Sequence, residues 1–561
     1  MYFNKNYRFY GLILIVLSCI FYFSFLGRVH LFDWDEINFA ESAREMIATG
    51  NYTQVQVNYQ PFWEKPPLFF WMQVVSMKIF GVNEFAARFP NAVFGLITLI
   101  TLFQIGKNLY NRRFGFIWAL AYFGSFLPHL YFKSGIIDPI FNYFIFLGVY
   151  FLAKSIEHQY NKFGTRFAIL AGLSTGLAVL TKGPVGFLLV FFSFLVFWVS
   201  VRFRKVTSIK NVLLFALGVV VVSFAWFGVE LIRGGWWFFE MFIKYQIRLF
   251  STPDAGHEQP FYYHFVVVFL GCFPMSVFAF RGFQRNPEET HPIVRKYMLY
   301  LFWVVMILFS IAKTKIVHYS SMAYLPLSFL ATQSLEYYLK HNQKPAKWLA
   351  WVAGILGTVF SILLTGLPLF AYNKELFYKY IQDPFAVDCL RTPVEWQGWE
   401  FIIGIVYWLL VISAIFFLRK DLSKSIIAFF SSTALCLFIY TAVVVPKIEA
   451  YSQAPAIEFY QKLRKENPNS YATTVWFKSY AQYFYFEYPK YKNPDFYQKT
   501  TYQENTDWLL RGKIDRDAFF VVKSNDIERF QKEYPEITLI KKYGGFGFFK
   551  RNLVNTPRSE D

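Results

Sequence analysis

Long apolar runs recur along this chain from residue 10 to residue 445, and no other feature of the sequence restricts its fold as strongly. Runs of roughly 20 apolar residues match the hydrocarbon thickness of a bilayer. They lie near 10–27, 88–106, 114–132, 139–153, 167–181, 184–201, 211–232, 262–280, 297–312, 319–336, 348–370, 400–418 and 425–445. Counted as helices, they give about thirteen spans. With 55% of residues hydrophobic and only 17% charged, a soluble multi-domain protein is excluded. The first run follows Lys5 and Arg8 and lacks a small-x-small cleavage site, so it reads as an uncleaved helix with a cytoplasmic N-terminus.

The net charge of +19 does not point to nucleic acid, because the basic residues sit in short clusters between apolar runs. When spans alternate, Lys107, Arg112 and Arg113, then Lys154, Lys162 and Arg166, then Arg202, Arg204, Lys205 and Lys210 fall on the side of Lys5 and Arg8. The clusters at 281–296, 340–347 and 419–424 fall there too, as cytoplasmic loops require. The opposite, outer side receives Asp33, Asp35, Glu36, Glu64, Asp138, His257 and His318 and the isolated Lys182, Lys313 and Lys315.

From residue 446 onward the composition shifts to Lys, Tyr, Asn and Asp with short apolar pieces, dividing the chain into a membrane domain, 1–445, and an outer domain, 446–561. Helices are expected at 456–466 and 526–534 and strands at 473–477, 519–523 and 546–550, a small soluble α/β domain. Cys19, Cys272 and Cys436 lie in apolar runs and Cys389 stands alone, so no disulfide framework or CxxC metal motif is present.

The first outer loop concentrates charge of both signs. Asp33, Asp35 and Glu36 crowd three carboxyls into four positions where a span leaves the membrane. Such a group is either a solvated helix flank or a general base for chemistry on a lipid-anchored substrate. In FWEKPPLFFW two prolines restrain the backbone and fix Glu64 and Lys65 at the head of the next apolar stretch, 68–80. A lysine held there either snorkels or meets a phosphate. Residues 38–48 place Phe39, Ala43, Met46 and Ile47 at helical spacing, the pattern of an amphipathic helix lying along the membrane surface. Of the many aromatic residues, Tyr59, Trp63 and Tyr319 neighbour this region.

Several ordered motifs within residues 10–335 carry a family resemblance: Asp35-Glu36 followed by ESAREM, EKPPL at 64–68, FGVNEFAARFP at 80–90, Ile137-Asp138, LTKGPVG at 180–186 and IAKTKIVHY at 311–319. The chain resembles membrane glycosyltransferases of the GT-C type, specifically the aminoarabinose transferase and protein O-mannosyltransferase group. The resemblance implies an all-α polytopic bundle, with amphipathic helices in the first outer loop and a small C-terminal α/β domain. It implies transfer of a sugar from a polyprenyl (undecaprenyl) phosphate carrier at the outer face of the cytoplasmic (inner) membrane. The expected acceptor is lipid A, or a protein hydroxyl as in the mannosyltransferases. After its KxK turn the chain departs from the aminoarabinose pattern, since IVHYSSMAYLPL lacks the proline expected two residues after the second lysine.

Matched position by position, the resemblance makes Asp35 catalytic with Asp138 the acidic residue of the second outer loop. It places Lys65 on the donor phosphate and Tyr319 after the KxK turn. Glu36, Tyr59, Arg88, Lys182, Arg248 and Lys315 complete the expected substrate-binding set, the cations supplying charge where the leaving phosphate develops it. Glu64 and His257 match a Glu and His pair that looks like a structural zinc site. The residues alone read His257 equally as a polar loop residue, and two ligands do not complete a tetrahedral site. The expected partners are the polyprenyl-phosphate sugar, the lipid or protein acceptor and membrane lipids, with no nucleic acid and no cofactor required for the chemistry. A transporter or lipid flippase is the rival class, and it would show internal repeats that the sequence lacks.

Overall fold

The computed structural model describes residues 7–62, 64–252, 259–489, 493 and 501–553. The chain is mostly helical. Helices α1 (Tyr7–Phe23), α2 (Asp35–Thr49), α3 (Leu68–Phe80), α4 (Glu84–Leu109), α5 (Arg112–Phe123), α6 (Phe126–Tyr131), α7 (Asp138–Glu157) and α8 (Lys162–Lys182) build the first half. There follow α9 (Val185–Ser200), α10 (Ile209–Gly234), α11 (Trp236–Ser251), α12 (Tyr263–Gly271), α13 (Met275–Phe278), α14 (Pro292–Ile311) and α15 (Tyr324–Lys340). The set continues with α16 (Lys347–Tyr372), α17 (Pro384–Leu390), α18 (Ile402–Leu418), α19 (Leu422–Val443), α20 (Val445–Glu449), α21 (Ala454–Glu466) and α22 (Ala481–Phe486).

Among the described residues seven helices, α4, α7, α8, α10, α14, α16 and α19, are long and apolar enough to cross a bilayer, and four shorter apolar helices lie at 9–23, 68–80, 185–200 and 402–418. Large apolar side chains face outward along α10 (Leu213, Leu217, Val220, Val221, Phe224) and α16 (Trp351, Ile355, Ile362, Leu363), which water would penalise and lipid does not. The chain is a multi-pass membrane protein. Two expected runs are broken: 114–132 divides between α5 and α6, and 262–280 divides between α12 and α13 around Phe273-Pro274. Pro274 has no N–H to continue the ladder.

Helix α8 crosses α10 closely. A Cβ on Gly172 would lie 2.3 Å from the Phe215 carbonyl oxygen, and one on Gly218 would lie 3.0 Å from the Leu173 nitrogen. Glycines here let two backbones meet, the way small residues drive helix association in lipid. At its C-terminal end α8 stops at Gly183, whose φ of 100° lies in the left-handed region, and Pro184 then opens α9. This turn leaves Lys182 as the last helical residue.

The helix expected in the first loop forms as α2, and it is enclosed by protein on both sides. Every residue from Glu36 to Met46 is buried, charged ones included, because α2 packs against α3 on one side and α22 on the other. Arg44 donates from Nε and Nη2 to the two oxygens of Glu41, both at 2.6 Å, so the buried charge is paired. A two-stranded hairpin, β1 (Gln56–Val57) and β2 (Gln60–Pro61), returns the chain toward α3.

Near its C-terminal end the chain forms a four-stranded mixed sheet in the order β3 (Tyr471–Thr474), β4 (Ala518–Lys523), β6 (Phe546–Arg551), β5 (Thr538–Tyr543). β3 runs parallel to β4, while β4–β6 and β5–β6 are antiparallel. Helices at Tyr502–Arg511 and Ile527–Glu533 accompany α21 on this sheet. Polar contacts stitch this region to the first loop: Leu31 N–H donates to the Tyr485 hydroxyl at 2.7 Å, and His30 Nδ1 lies 3.1 Å from Glu449 Oε1.

One buried ion pair fixes where α2 begins. Arg88 of α4 donates from Nε and Nη2 to Glu36 at 3.1 and 2.8 Å, and its remaining donors reach the carbonyls of Leu26, Val29 and His30 at 2.7, 2.7 and 2.9 Å. Glu36 also accepts from Phe32 N–H at 2.9 Å and from Gly135 N–H. Burial opposes the carboxylate's charge, but Arg88 and these two N–H groups hold its pKa below the ordinary glutamate value. Replacing Arg88 by Met leaves that charge buried without its partner, at a cost of about 3–5 kcal/mol. Arg88→Met is therefore expected to lower the melting temperature of the detergent-purified protein strongly, and Arg88→Met combined with Glu36→Gln to recover part of the loss.

Candidate active site

Asp35 is the first residue of α2 and Asp138 the first of α7, so each carboxylate stands at a helix N-terminus where the macrodipole favours negative charge. Lys182 ends α8, where the dipole favours a cation. Its Nζ donates to Asp138 Oδ1 at 2.6 Å and lies 5.3 Å from the centre of the Tyr319 ring and 5.8 Å from that of Phe141. Asp35 is 41% exposed and its Oδ2 lies 3.5 Å from Nε2 of His318, which is only 16% exposed. The carboxylate thus looks into the open site with the imidazole behind it.

Lys65 enters from the turn before α3, held by Pro66 and Pro67, with Pro67 capping that helix. Its Nζ lies 3.4 Å from the Tyr245 hydroxyl, 5.0 Å from the Tyr245 ring centre and 4.0 Å from Glu64 Oε2. Tyr245, on α11, donates its hydroxyl to Glu64 Oε2 at 2.7 Å. Arg248, one turn further along α11, lies 5.2 Å from the centre of the same ring, so one tyrosine carries two cations. Burial lowers the Lys65 pKa from the ordinary lysine value. Lys182 adds to that shift, against Glu64, Asp35 and Asp138. Lys65 therefore shares one electrostatic site with Lys182, Asp35 and Asp138.

The structure thus brings together Asp35, Glu64, Lys65, Asp138, Lys182 and Tyr319, with Arg248 at the rim. Glu36 and Arg88, expected as substrate contacts, instead form the buried pair described above, with no face toward the site. Tyr59 belongs to the loop's own scaffold: its hydroxyl donates to the Tyr488 carbonyl at 2.6 Å and its N–H to Glu45 Oε2 at 2.8 Å. Lys315 is buried and donates to the Ala312 carbonyl at 2.8 Å, bracing the KxK turn. His257 and Trp63 lie outside the described residues. Among the described residues no group of three His, Cys, Asp or Glu side chains is placed to hold a metal ion. Two residues beyond the expected set belong to this site, Tyr245 and His318. His318 carried a signal in the KxK turn motif, whereas Tyr245 sits in a helix rich in aromatics.

A family model described as dolichyl-phosphate-mannose-protein mannosyltransferase matches residues 64–226. The chain is 25% identical over 400 residues to the undecaprenyl phosphate-alpha-4-amino-4-deoxy-L-arabinose arabinosyl transferase of Wigglesworthia glossinidia brevipalpis, covering 67% of this chain and 69% of that one. It is 26% identical over 389 residues to the protein of the same name from Aeromonas hydrophila, covering 68% and 69%. Among solved structures, ArnT from Cupriavidus metallidurans bound to undecaprenyl phosphate superposes with a TM-score of 0.75 at 16% identity, covering 96% of this chain and 97% of that one. The resemblance to GT-C glycosyltransferases of the aminoarabinose transferase and protein mannosyltransferase group is borne out, and the fold is that of ArnT.

Asp33, the third carboxyl of the loop, accepts from Tyr480 N–H through its two oxygens at 3.2 and 3.3 Å, joining the site loop to the segment after β3. Burial pushes its pKa up to about 6, against hydrogen bonds from Ser479 and Tyr480 and the charge of Lys478. Because the folded pKa is raised, the stability Asp33 contributes is fully present below its ordinary value of 3.8 and is lost as pH rises through about 6. Asp33→Asn is expected to melt higher than the unsubstituted protein at pH 8, with the difference vanishing toward pH 4; thermal unfolding across that range checks it.

Proposed function

We propose that this chain is a membrane glycosyltransferase that moves a sugar from a polyprenyl phosphate carrier to an acceptor at the outer face of the cytoplasmic membrane, most like the undecaprenyl phosphate-aminoarabinose transferases. The observation that carries the reading is the convergence of Asp35 and Asp138 with Lys65 and Lys182 from four separate elements at one site. The undecaprenyl phosphate-aminoarabinose transferases that the chain resembles, and ArnT with its bound undecaprenyl phosphate, support it.

In this reading Asp35 accepts the proton of the acceptor hydroxyl as that oxygen attacks the anomeric carbon, the part a partly exposed carboxylate can play. The bond from that carbon to the phosphate oxygen breaks, and the electron pair leaves with the polyprenyl phosphate. Lys65, Lys182 and Arg248 meet the growing negative charge. Burial strengthens the field of Lys65, and Tyr245 fixes its ammonium. Asp138 holds Lys182 at 2.6 Å so that it faces the site in the absence of substrate. A structural zinc at Glu64 and His257 belongs to the same reading, with Glu64 presented from the turn that carries Lys65.

The finer architecture follows: about thirteen spans, with the shorter and broken helices completing the long ones, the basic connections in the cytoplasm, and the site and the C-terminal domain of residues 446–561 outside. It is supported by the helix ends carrying Lys65, Lys182, Asp35 and Asp138, which meet at one site. Lipid A is the acceptor this reading favours, with a protein hydroxyl as the other class the relatives admit.

The test is transfer of radiolabelled sugar from polyprenyl phosphate donors to membrane acceptors by the purified chain. Asp35→Asn is expected to lower kcat by about 10²–10⁴-fold without loss of membrane insertion. Lys65→Met is expected to lower kcat/KM for the donor by about 10²–10³-fold. Label transfer by Asp35→Asn at the unsubstituted rate would remove the base from this mechanism, and no transfer by the unsubstituted protein from any donor would favour a transporter.

A further inference from the structure

We propose that His318 is a positioning residue for Asp35. The neutral imidazole donates from Nε2 to Asp35 Oδ2 and leaves Oδ1 aimed at the acceptor hydroxyl. This inference rests on the transferase reading above and adds to it a residue that the expected site did not contain.

His318 Nε2 lies 3.5 Å from Asp35 Oδ2, within ion-pair range and longer than a formed hydrogen bond, and catalytic contacts can tighten when substrate binds. What distinguishes it from a chance encounter is how the histidine is held. His318 belongs to the 3-10 turn Val317–Ala323, and its carbonyl accepts from Ser321 Oγ at 2.5 Å. Ser321 Oγ in turn accepts from Asn142 Nδ2 at 2.7 Å, on α7, the helix that presents Asp138. The ring packs edge-on against Tyr319, with centres 5.3 Å apart. The two carboxylate-bearing elements of the site are therefore tied through one turn, and the imidazole is fixed while Asp35 is open to solvent.

Without such a partner, an exposed aspartate beside two ammonium groups would be drawn toward Lys65 or Lys182 and away from the acceptor. The titratable and charged groups facing His318 are Asp35 from α2, Asp138 from α7, Lys182 from α8, Lys65 from the turn before α3 and His264 from α12. Burial and the two ammonium groups, against the two carboxylates, set its pKa below the ordinary imidazole value of 6.5, so the ring is neutral near pH 7. Protonation would turn this contact into an ion pair that makes Asp35 a poorer base. Activity is then expected to fall as pH drops through a value below 6.5.

The experiment measures kcat and donor KM of the full chain in proteoliposomes between pH 4.5 and 8.5. His318→Ala is expected to lower kcat about tenfold to a hundredfold with donor KM unchanged. His318→Gln, whose amide can donate to the same oxygen, is expected to restore most of kcat while the acidic limb moves to lower pH. Equal losses in the two variants with an unmoved pH profile would reduce His318 to a packing residue and overturn the proposal. A second readout is independent of transfer. In protein labelled at histidine nitrogens, Asp35→Asn is expected to lower the His318 pKa further, because it removes a facing negative charge. An unchanged His318 titration would overturn the contact even if the protein transfers sugar, and a lowered one would uphold it even if the protein does not.

Discussion

The buried pair of Arg88 and Glu36 is the contact on which the site's geometry depends. Asp35 projects from a loop of polar residues at the edge of a membrane bundle, where backbone carbonyls have few partners and a short helix has little of its own stability. Arg88 collects the carbonyls of Leu26, Val29 and His30 and the carboxylate of Glu36 on a single guanidinium, which presents five donors in a rigid fork. Glu36 also accepts from Phe32 and Gly135, which brings the connection before α7 against the same point. Because α2 starts at Asp35, fixing residue 36 in the core fixes residue 35 outside it. The exposed and the buried carboxyl are neighbours with opposite tasks.

A consequence is that the site is assembled from helix ends rather than from helix faces. Asp35 and Asp138 open helices, Lys182 closes one, and Lys65 stands before Pro66 and Pro67 at the entry to α3. Placing carboxylates at N-termini and an ammonium at a C-terminus lets each macrodipole stabilise the charge it carries, by a few tenths to about 1 kcal/mol apiece. Gly183 makes this possible for Lys182, since a left-handed φ of 100° ends α8 within one residue and sends the chain back as α9. Charges so disposed need little support from water.

Much of this was legible in the sequence, for definite reasons. Apolar runs near bilayer length announced the spans, because so many long stretches without charge suit hydrocarbon and would be penalised in water. Asp35, Lys65, Asp138 and Lys182 stood out because charge is rare in such a chain. The same contrast misled at Glu36 and Arg88: their charges are equally conspicuous, but they lie 52 positions apart and nothing local says that they cancel each other in the core. Tyr245 could not be picked out, as one of 38 tyrosines within an aromatic helix. Strand β5 escaped notice because Lys541 and Lys542 interrupt its alternation, and it proves to be the sheet's exposed edge, where lysines are tolerated. The amphipathic pattern of 38–48 was real, but α22, over 400 positions away, covers the face assigned to water.

That last discrepancy bears on how the two parts of the chain cooperate. The segment from Tyr480 to Tyr488 packs on α2 and supplies partners to Leu31, Asp33 and Tyr59, so the loop that carries the proposed base is folded partly by residues that follow the last long apolar helix. Asp33 joins this seam two positions before Asp35, and its raised pKa makes the seam respond to pH. Arg88 holds the residue after the base from within the bundle and Tyr480 holds Asp33 before it, so its position is set from both sides. The side chain alone remains to be oriented, and His318 stands where that task falls.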